Sequence, residues 1–212
     1  MDYTLDTKAA NQADTIYAKI EQAGKYIGTI TRAEQVKSEK GTKGVDLSFK
    51  SATGETADYL TLWTHNSEGK QLMGFNTLMA IMTCLRVKGL QAVNGEVEKY
   101  DRDQQKRIKV TVPLFRELMD KPIGLLIHME EYAKNAGGTA WKPVISGAFD
   151  KDEFTASEIL SQAKKPETLA KMVAALRDRP LKTGTVAKRV DSENPAAGMP
   201  NNFDPDFDSI PF

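Results

Sequence analysis

The sequence has 212 residues, of which 40% are hydrophobic, 8% aromatic and 27% charged. This composition is typical of a globular protein, and it excludes a collagen-like, silk-like or wholly disordered chain. The 29 basic and 29 acidic residues balance over the whole chain, but residues 191–212 contain five acids and no base. Residues 1–190 therefore contain 29 bases against 24 acids, a net charge of +5. A net charge of zero argues against a nucleic-acid-binding protein, whereas a basic body with an acidic tail does not.

The numbers of cysteines and histidines exclude an intramolecular disulfide and a Cys/His zinc site. Cys84 is the single cysteine, so no intramolecular disulfide can form, and the two histidines cannot complete a zinc site with it. The first residues lack the basic and apolar regions of a secretory signal, and no apolar run reaches the length of a membrane span. We therefore expect a soluble, cytoplasmic protein with no membrane partner, no metal and no cofactor.

Hydrophobic periodicity predicts a helix, three strands and a second helix in the first 86 residues. Residues 8–22 have helical spacing of apolar side chains, and residues 70–86 repeat that spacing more strongly. Between them, residues 25–33, 44–50 and 57–64 alternate with period two and are separated by glycine-containing turns. The three strands are expected to form an antiparallel meander.

The second half begins with a polar, charged connection over residues 87–121, with a short helix expected at 113–120. Residues 122–132 and 140–149 predict two more strands around a turn at 135–138. Thr155 and Glu158 have capping-box spacing and predict a helix that begins near Ala156, followed by another helix over 166–178. Residues beyond 181 are rich in Gly, Pro, Asn, Ser and Asp and are expected to be disordered.

Three strands, a helix and two strands follow one another in the order of an OB fold, a five-stranded Greek-key barrel with a helix between strands 3 and 4. The predicted fold class is therefore mainly β with helical additions. The expected organisation is an N-terminal extension (1–23), an OB domain (24–152, with an insertion at 87–121), a helical extension (153–180) and an acidic tail (181–212).

Motifs for catalysis are missing from the sequence. It contains no P-loop, no nucleophile elbow and no metalloprotease motif, and neither His65 nor His128 has an obvious Ser or Cys partner. Acidic pairs at Glu130-Glu131 and Asp150/Asp152 have the chemistry of magnesium ligands, but solvated acids at strand ends explain them as well. We expect a protein that is not an enzyme.

Exposed aromatic and basic residues predict contacts with unpaired nucleic acid. In the third strand, Leu60 and Leu62 share the inward face, which leaves Tyr59 and Trp63 facing outward, unless the insertion covers them. Trp141-Lys142 repeats the pairing of an aromatic ring with a cation, and unpaired bases stack on such rings. Strand aromatics are also common in cores, and the lysines and arginines also suit solvated loops. The predicted phosphate contacts are Lys43, Lys50, Arg102, Lys106, Arg107 and Lys109.

The last eleven residues combine acids with apolar side chains. Phe203 and Phe207 alternate with aspartates, and the sequence ends in Ile-Pro-Phe. Apolar residues at the end of a flexible acidic segment are typical of a docking peptide. The predicted docking residues are Asp204, Asp206, Asp208, Ile210, Pro211 and Phe212.

The ending D-S-I-P-F resembles the acidic tip with which bacterial single-stranded DNA-binding proteins recruit replication and repair partners. G-K-Y-I-G-T-I-T-R-A-E at 24–34, the Lys/Gly-rich hairpin and F-T-A-S-E-I at 154–159 resemble small phage-type single-stranded DNA-binding proteins of OB fold. This second resemblance spans about residues 14–160, and the 87–121 insertion and the helical 153–180 region depart from it.

The resemblance and the residue pattern favour a phage-encoded protein that coats single-stranded DNA during replication or recombination. An OB-fold adaptor that recruits partners and binds DNA weakly or not at all is the alternative. A nuclease that uses the acids near residues 130–153 is a third hypothesis.

Overall fold

The computed structural model describes residues 4–5, 7, 18–101, 105–134 and 137–181, with the backbone alone at residues 100, 101 and 107. The strands are β1 (Gly24–Lys37), β2 (Lys43–Ser51), β3 (Thr56–His65), β4 (Val93–Asp101), β5 (Lys106–Leu114), β6 (Pro122–Ala133) and β7 (Thr139–Phe149). The helices are α1 (Met73–Cys84), α2 (Ala156–Leu160) and α3 (Thr168–Ala175), and a 3-10 turn spans Arg116–Leu118. The prediction of a mainly β protein with a few helices is confirmed.

Strand β1 organises the sheet because both of its edges are paired. One edge runs antiparallel to β2, while the other runs antiparallel to β6 along residues 24–29 and meets β5 at Glu34. The remaining antiparallel pairs are β2 with β3, β4 with β5 and β6 with β7. In the described part of the chain, no pairing joins β3 to β7, although these strands lie near each other. The seven-stranded sheet is therefore open.

The closed five-stranded barrel expected from the sequence is not observed, partly because another segment occupies the edge of β3. The N–H of Ile20 donates to the carbonyl of Thr56, and the N–H of Thr56 donates to the carbonyl of Ala18, both at 2.9 Å. These are backbone groups that a neighbouring strand would otherwise use. Residues 18–22 are thus not part of a helix, and residues 8–17 of the predicted N-terminal helix lie outside the described residues.

The core lies between the inward faces of β1–β3, the start of β6 and one face of α1. Its fully buried side chains include Ile30, Leu47, Phe49, Leu60, Ile81, Leu125 and Ile127. Burying a side chain of this size contributes about 1.5–3 kcal/mol to stability. At Gly74 the helix approaches β3 so closely that an added Cβ would lie 2.4 Å from the carbonyl oxygen of Trp63. Helix α1 is thereby fixed against β3, between the third strand and the later strands, as predicted.

The 87–121 insertion contains a β-hairpin, β4–β5, instead of the irregular connection and short helix that we expected. Its register pairs Val97 with Val110 and Lys99 with Ile108. Apolar residues occupy every second position of β5 from Ile108 to Leu114, which is a strand pattern, whereas Lys99 replaces an apolar residue on the Val97 face of β4. The predicted helix at 113–120 is also wrong, since β5 continues to Leu114 and only the 3-10 turn follows.

Helices α2 and α3 follow β7, and the predicted capping box at Thr155 and Glu158 is confirmed. The Glu158 carboxylate accepts hydrogen bonds from the backbone N–H of Thr155 (2.9 Å) and from those of Glu167 and Thr168 (both 2.7 Å), so it caps both helices. Burial alone would raise the pKa of Glu158, but these donors outweigh it and lower the pKa to about 2. No helix in the described ranges has the length and apolar character needed to cross a bilayer.

Candidate nucleic-acid interface

A β-bulge in β3 controls the position of Tyr59. Leu60 pairs with Leu47 and Ala57 pairs with Phe49, so Asp58 and Tyr59 together face a single residue of β2. Tyr59 has a φ of 60°, a left-handed conformation that costs a side-chain-bearing residue about 1–2 kcal/mol. The bulge leaves the tyrosine 75% exposed. Strained residues and bulges of this kind occur frequently at functional sites.

Tyr59 lines a groove of about 490 Å³ between the start of β3, residues 19–21 and the ends of β6 and β7 that flank their turn. We call it the aromatic groove because Tyr59, Tyr132 and Trp141 all line it. Tyr132 is 41% exposed and Trp141 is 47% exposed. Three large rings thus border one open groove instead of packing into the core.

The charges along the aromatic groove balance. Lys19 and Lys142 line it together with Glu21 and Asp58. The Nζ of Lys142 also lies 3.5 Å from a carboxylate oxygen of Glu130, and both side chains are largely exposed. The groove therefore offers contacts for a small number of phosphates but does not have a strongly positive surface.

A second groove, of about 390 Å³, lies between the β4–β5 hairpin and the outer face of β1–β3. Among the described residues, Asp58, Glu96 and Glu98 line it with Arg32 and Lys99 as the only bases, so we call it the acidic groove. Tyr59 also lines this groove. The tyrosine therefore stands at the boundary between the two grooves.

A buried ion-pair network underlies the acidic groove. Arg32 donates to Glu34 at 3.0 Å and also forms an ion pair with Asp46, and the Nζ of Lys99 lies 2.7 Å from the other oxygen of Glu34. The hydroxyl of Thr61 donates to Asp46 at 2.6 Å. Glu34 and Asp46 are each only 6% exposed, so these bonds supply the partners that buried carboxylates require.

The structure brings together three of the predicted stacking and phosphate contacts, Tyr59, Trp141 and Lys142, in the aromatic groove. Trp63 faces outward and is 38% exposed, but it does not line this groove. An added Cβ at Gly44, its partner in β2, would lie 3.0 Å from the indole, so the ring lies against the glycine.

The other predicted contacts are dispersed or undescribed. Lys43 pairs with His65 at the start of β2, Lys50 pairs with Thr56 at its other end, and Lys109 pairs with Glu98 in the hairpin. Lys106 is exposed at the beginning of β5. Outside the described residues lie Arg102, the side chain of Arg107, and the predicted docking residues Asp204, Asp206, Asp208, Ile210, Pro211 and Phe212.

Sequence reasoning missed Tyr132, Lys19 and Arg32. Tyr132 had a usable signal, because it precedes the predicted turn at 135–138 by as many residues as Trp141 follows it, and a hairpin brings such positions close together. Lys19 had none, since the pattern around it predicted a helix. Arg32 is one of many charged residues on alternating strands, and only the folded structure places it 5.8 Å from the centre of the Tyr59 ring.

The acidic residues considered as metal ligands have structural partners. Asp150 accepts hydrogen bonds from the backbone N–H groups of Asp152 and Phe154, both at 3.0 Å, and Asp152 pairs with Lys151. Glu131 accepts the backbone N–H of Leu181 at 3.0 Å. Among the described residues, no three His, Cys, Asp or Glu side chains come together as a metal site.

His128 has a hydroxyl partner that the sequence did not reveal. Its Nδ1 lies 2.5 Å from the Oγ of Ser146, and the histidine is only 3% exposed. Burial and the positive charge of Arg179 lower the pKa of His128 below its ordinary value. The imidazole is therefore neutral at pH 7.

A comparison of the sequence with models of known protein families gives no match, and a comparison with curated proteins gives none either.

Proposed function

We propose that this chain is a single-stranded DNA-binding protein that coats exposed strands during replication or recombination, with little sequence preference. The observation that carries the proposal is the aromatic groove, where Tyr59, Tyr132 and Trp141 are exposed beside Lys19 and Lys142. The resemblance of the body to phage-type single-stranded DNA-binding proteins supports the same function. No cofactor and no catalytic step form part of it.

Stacking supplies most of the binding free energy in this proposal. A base stacked on an aromatic ring contributes about 1–3 kcal/mol, and every base has a face that can stack, so such contacts tolerate any sequence. The two lysines would neutralise phosphates of the same strand. The predicted contacts at Lys43, Lys50, Lys106 and Lys109 lie outside the lining of this groove and would serve flanking nucleotides.

We further propose that the open sheet is an elaborated OB fold. The order β1–β3, α1, β6 and β7, and the pairing of β1 with both β2 and β6, support this assignment. The proximity of β3 to β7 also supports it, because these strands meet where an OB barrel closes. In this description the β4–β5 hairpin is an insertion between the helix and the fourth strand of the barrel.

The acidic C-terminal segment completes the proposal. Its resemblance to the tip of bacterial single-stranded DNA-binding proteins supports the recruitment of replication and recombination proteins through Ile210, Pro211 and Phe212. That support comes from the sequence alone, since residues 182–212 lie outside the described part of the chain.

An adaptor that binds proteins and not DNA is the second candidate function. The observation that favours it is electrostatic, since one groove has balanced charges and the other is acidic. A polyanion gains less from such surfaces than from a basic channel. Direct measurement of DNA binding separates the two functions.

The test is a titration with unlabelled oligo-dT, in buffer that contains a chelator, of two proteins that each retain one tryptophan. Trp63→Phe leaves Trp141 in the aromatic groove as the only tryptophan, while Trp141→Phe leaves Trp63, which lies outside it. We expect oligo-dT to quench the fluorescence of Trp141 and to leave that of Trp63 nearly unchanged. Failure of oligo-dT to quench Trp141 in low salt would favour the adaptor.

A further inference from the structure

Arg32 is held rigidly beneath the most exposed aromatic ring of the groove. Its guanidinium forms ion pairs with Glu34 and Asp46, and its Nε donates to the hydroxyl of Ser48 at 3.1 Å. The arginine side chain is only 14% exposed. Its Cζ lies 5.8 Å from the centre of the Tyr59 ring, within the range of a cation–π interaction.

The network fixes the guanidinium in a way that a lysine could not reproduce. Three side chains accept hydrogen bonds from different nitrogens of one planar group, so both its position and its tilt are determined. A compact, strongly hydrated ammonium on a flexible stem has no plane to orient against the ring. Arg32 is thus suited to restrict a tyrosine that otherwise has few neighbours.

Arg32 and Trp141 lie near Tyr59 in different grooves. Arg32 lines the acidic groove together with Tyr59, but it does not line the aromatic groove. Arg32 thus approaches Tyr59 from the acidic groove, whereas Trp141 and Lys142 line the aromatic groove and not the acidic one.

We propose that Arg32 is a positioning residue for single-stranded DNA, which holds the Tyr59 ring in place so that a base stacks on the face turned toward the aromatic groove. This inference rests on the proposed function. A ring that is already ordered loses less conformational entropy when a base stacks on it, and this smaller entropic cost increases the affinity. Arg32 itself makes no contact with the strand, so its whole contribution to binding passes through Tyr59.

The test is a double-mutant cycle with Arg32→Lys and Tyr59→Ala, in which oligo-dT affinity is measured at several salt concentrations. We expect Arg32→Lys to weaken binding about two- to fivefold in the native background, which corresponds to an exposed cation–π contact. In the Tyr59→Ala background the same change should have no effect. The salt dependence should stay constant, because the charge at position 32 is retained. Arg86→Lys is the matched control, since this arginine pairs with Asp150 and lines neither groove.

Each outcome of the cycle decides one question. Equal losses from Arg32→Lys in both backgrounds would overturn the positioning role and indicate a direct contact or a general structural effect, with the proposed function intact. A Tyr59→Ala protein that binds oligo-dT normally would instead refute the proposed site itself. If Arg32→Lys fails to fold, as judged by circular dichroism, Asp46→Asn replaces it in the cycle, because it loosens the same guanidinium while retaining Arg32. The non-additivity expected for Asp46→Asn is the same, and additive losses would overturn the inference.

Discussion

Replacing Tyr59 by glycine and by alanine separates the backbone strain at this position from the role of its ring. Both substitutions remove the phenol and its contact with Arg32, which contributes about 0.5–1 kcal/mol at an exposed site. Only glycine adopts the observed φ of 60° without a steric cost. The difference between the two variants therefore reports the strain after the extra entropy loss of glycine is subtracted from it, whereas their common loss reports the ring.

The magnitude follows from two opposing contributions. The left-handed conformation costs alanine about 1–2 kcal/mol, while glycine loses about 0.5–1 kcal/mol more than alanine through the entropy of the unfolded chain. We expect Tyr59→Gly to have a free energy of unfolding about 1 kcal/mol higher than Tyr59→Ala. For a domain of this size that corresponds to a Tm difference of about 2–4 °C.

Affinity for DNA should respond differently from stability. Since neither variant retains the ring, both should lose about 1–3 kcal/mol of oligo-dT binding, which is roughly a 5- to 150-fold change. Tyr59→Phe keeps a ring at the same place and should bind nearly as well as the native protein. Urea denaturation followed by circular dichroism measures stability, and fluorescence titration measures affinity. If Tyr59→Gly is less stable than Tyr59→Ala by about 0.5–1 kcal/mol, as the entropy of glycine alone would make it, the bulge is not strained. If both variants bind oligo-dT normally, Tyr59 is not a stacking platform.

Three further predictions concern charge. Glu158→Gln should destabilise the protein by about 2–4 kcal/mol at pH 7, because charged hydrogen bonds are lost. The pKa of Glu158 in the folded protein is about 2, below the ordinary 4.5, so the native protein loses this stabilisation as the pH falls from 4.5 towards 2. The difference in free energy of unfolding between the two proteins, measured by urea denaturation, should therefore vanish over that range. The pKa of His128 is lower in the folded protein than in the unfolded chain, so the unfolded chain binds more protons than the folded protein below pH 6.5. The free energy of unfolding should therefore fall as the pH drops below that value. His128→Gln should flatten this part of the pH profile. Replacing Lys19 and Lys142 by glutamine should reduce the slope of log K against log salt by about 0.7 each, and an unchanged slope would show that neither contacts a phosphate.

The strands that border the core could be predicted because the alternation of apolar and polar residues is visible within each strand. Val45, Leu47 and Phe49 alternate with polar residues in β2, and the structure buries all three as predicted. The turn at 135–138 likewise indicated the β6–β7 hairpin. The β4–β5 hairpin was missed because charged residues interrupt the period-two pattern of β4, and because apolar positions such as Val97 and Ile108 are only half-buried.

The candidate site was predictable only in part because it depends on long-range pairing. Exposure of Tyr59 follows from the alternation along β3, but its left-handed backbone arises from the mismatch between β2 and β3, which no local pattern shows. The pairing of Lys19 with Thr56 joins segments far apart in sequence. The same holds for Arg32, whose orientation depends on Asp46 in the neighbouring strand.

The exposed aromatic rings Tyr59 and Trp141 border the open seam between β3 and β7. The observed fold leaves a groove between the two strands, and residues 18–20 pair with Thr56 at the start of β3. Exposed rings and a strained tyrosine both lower the stability of the free protein. In the proposed function, a single strand that covers the rings on binding offsets this loss of stability. Because the charges of the described groove residues balance, the proposed function assigns most of the binding free energy to the rings, on which unpaired bases stack.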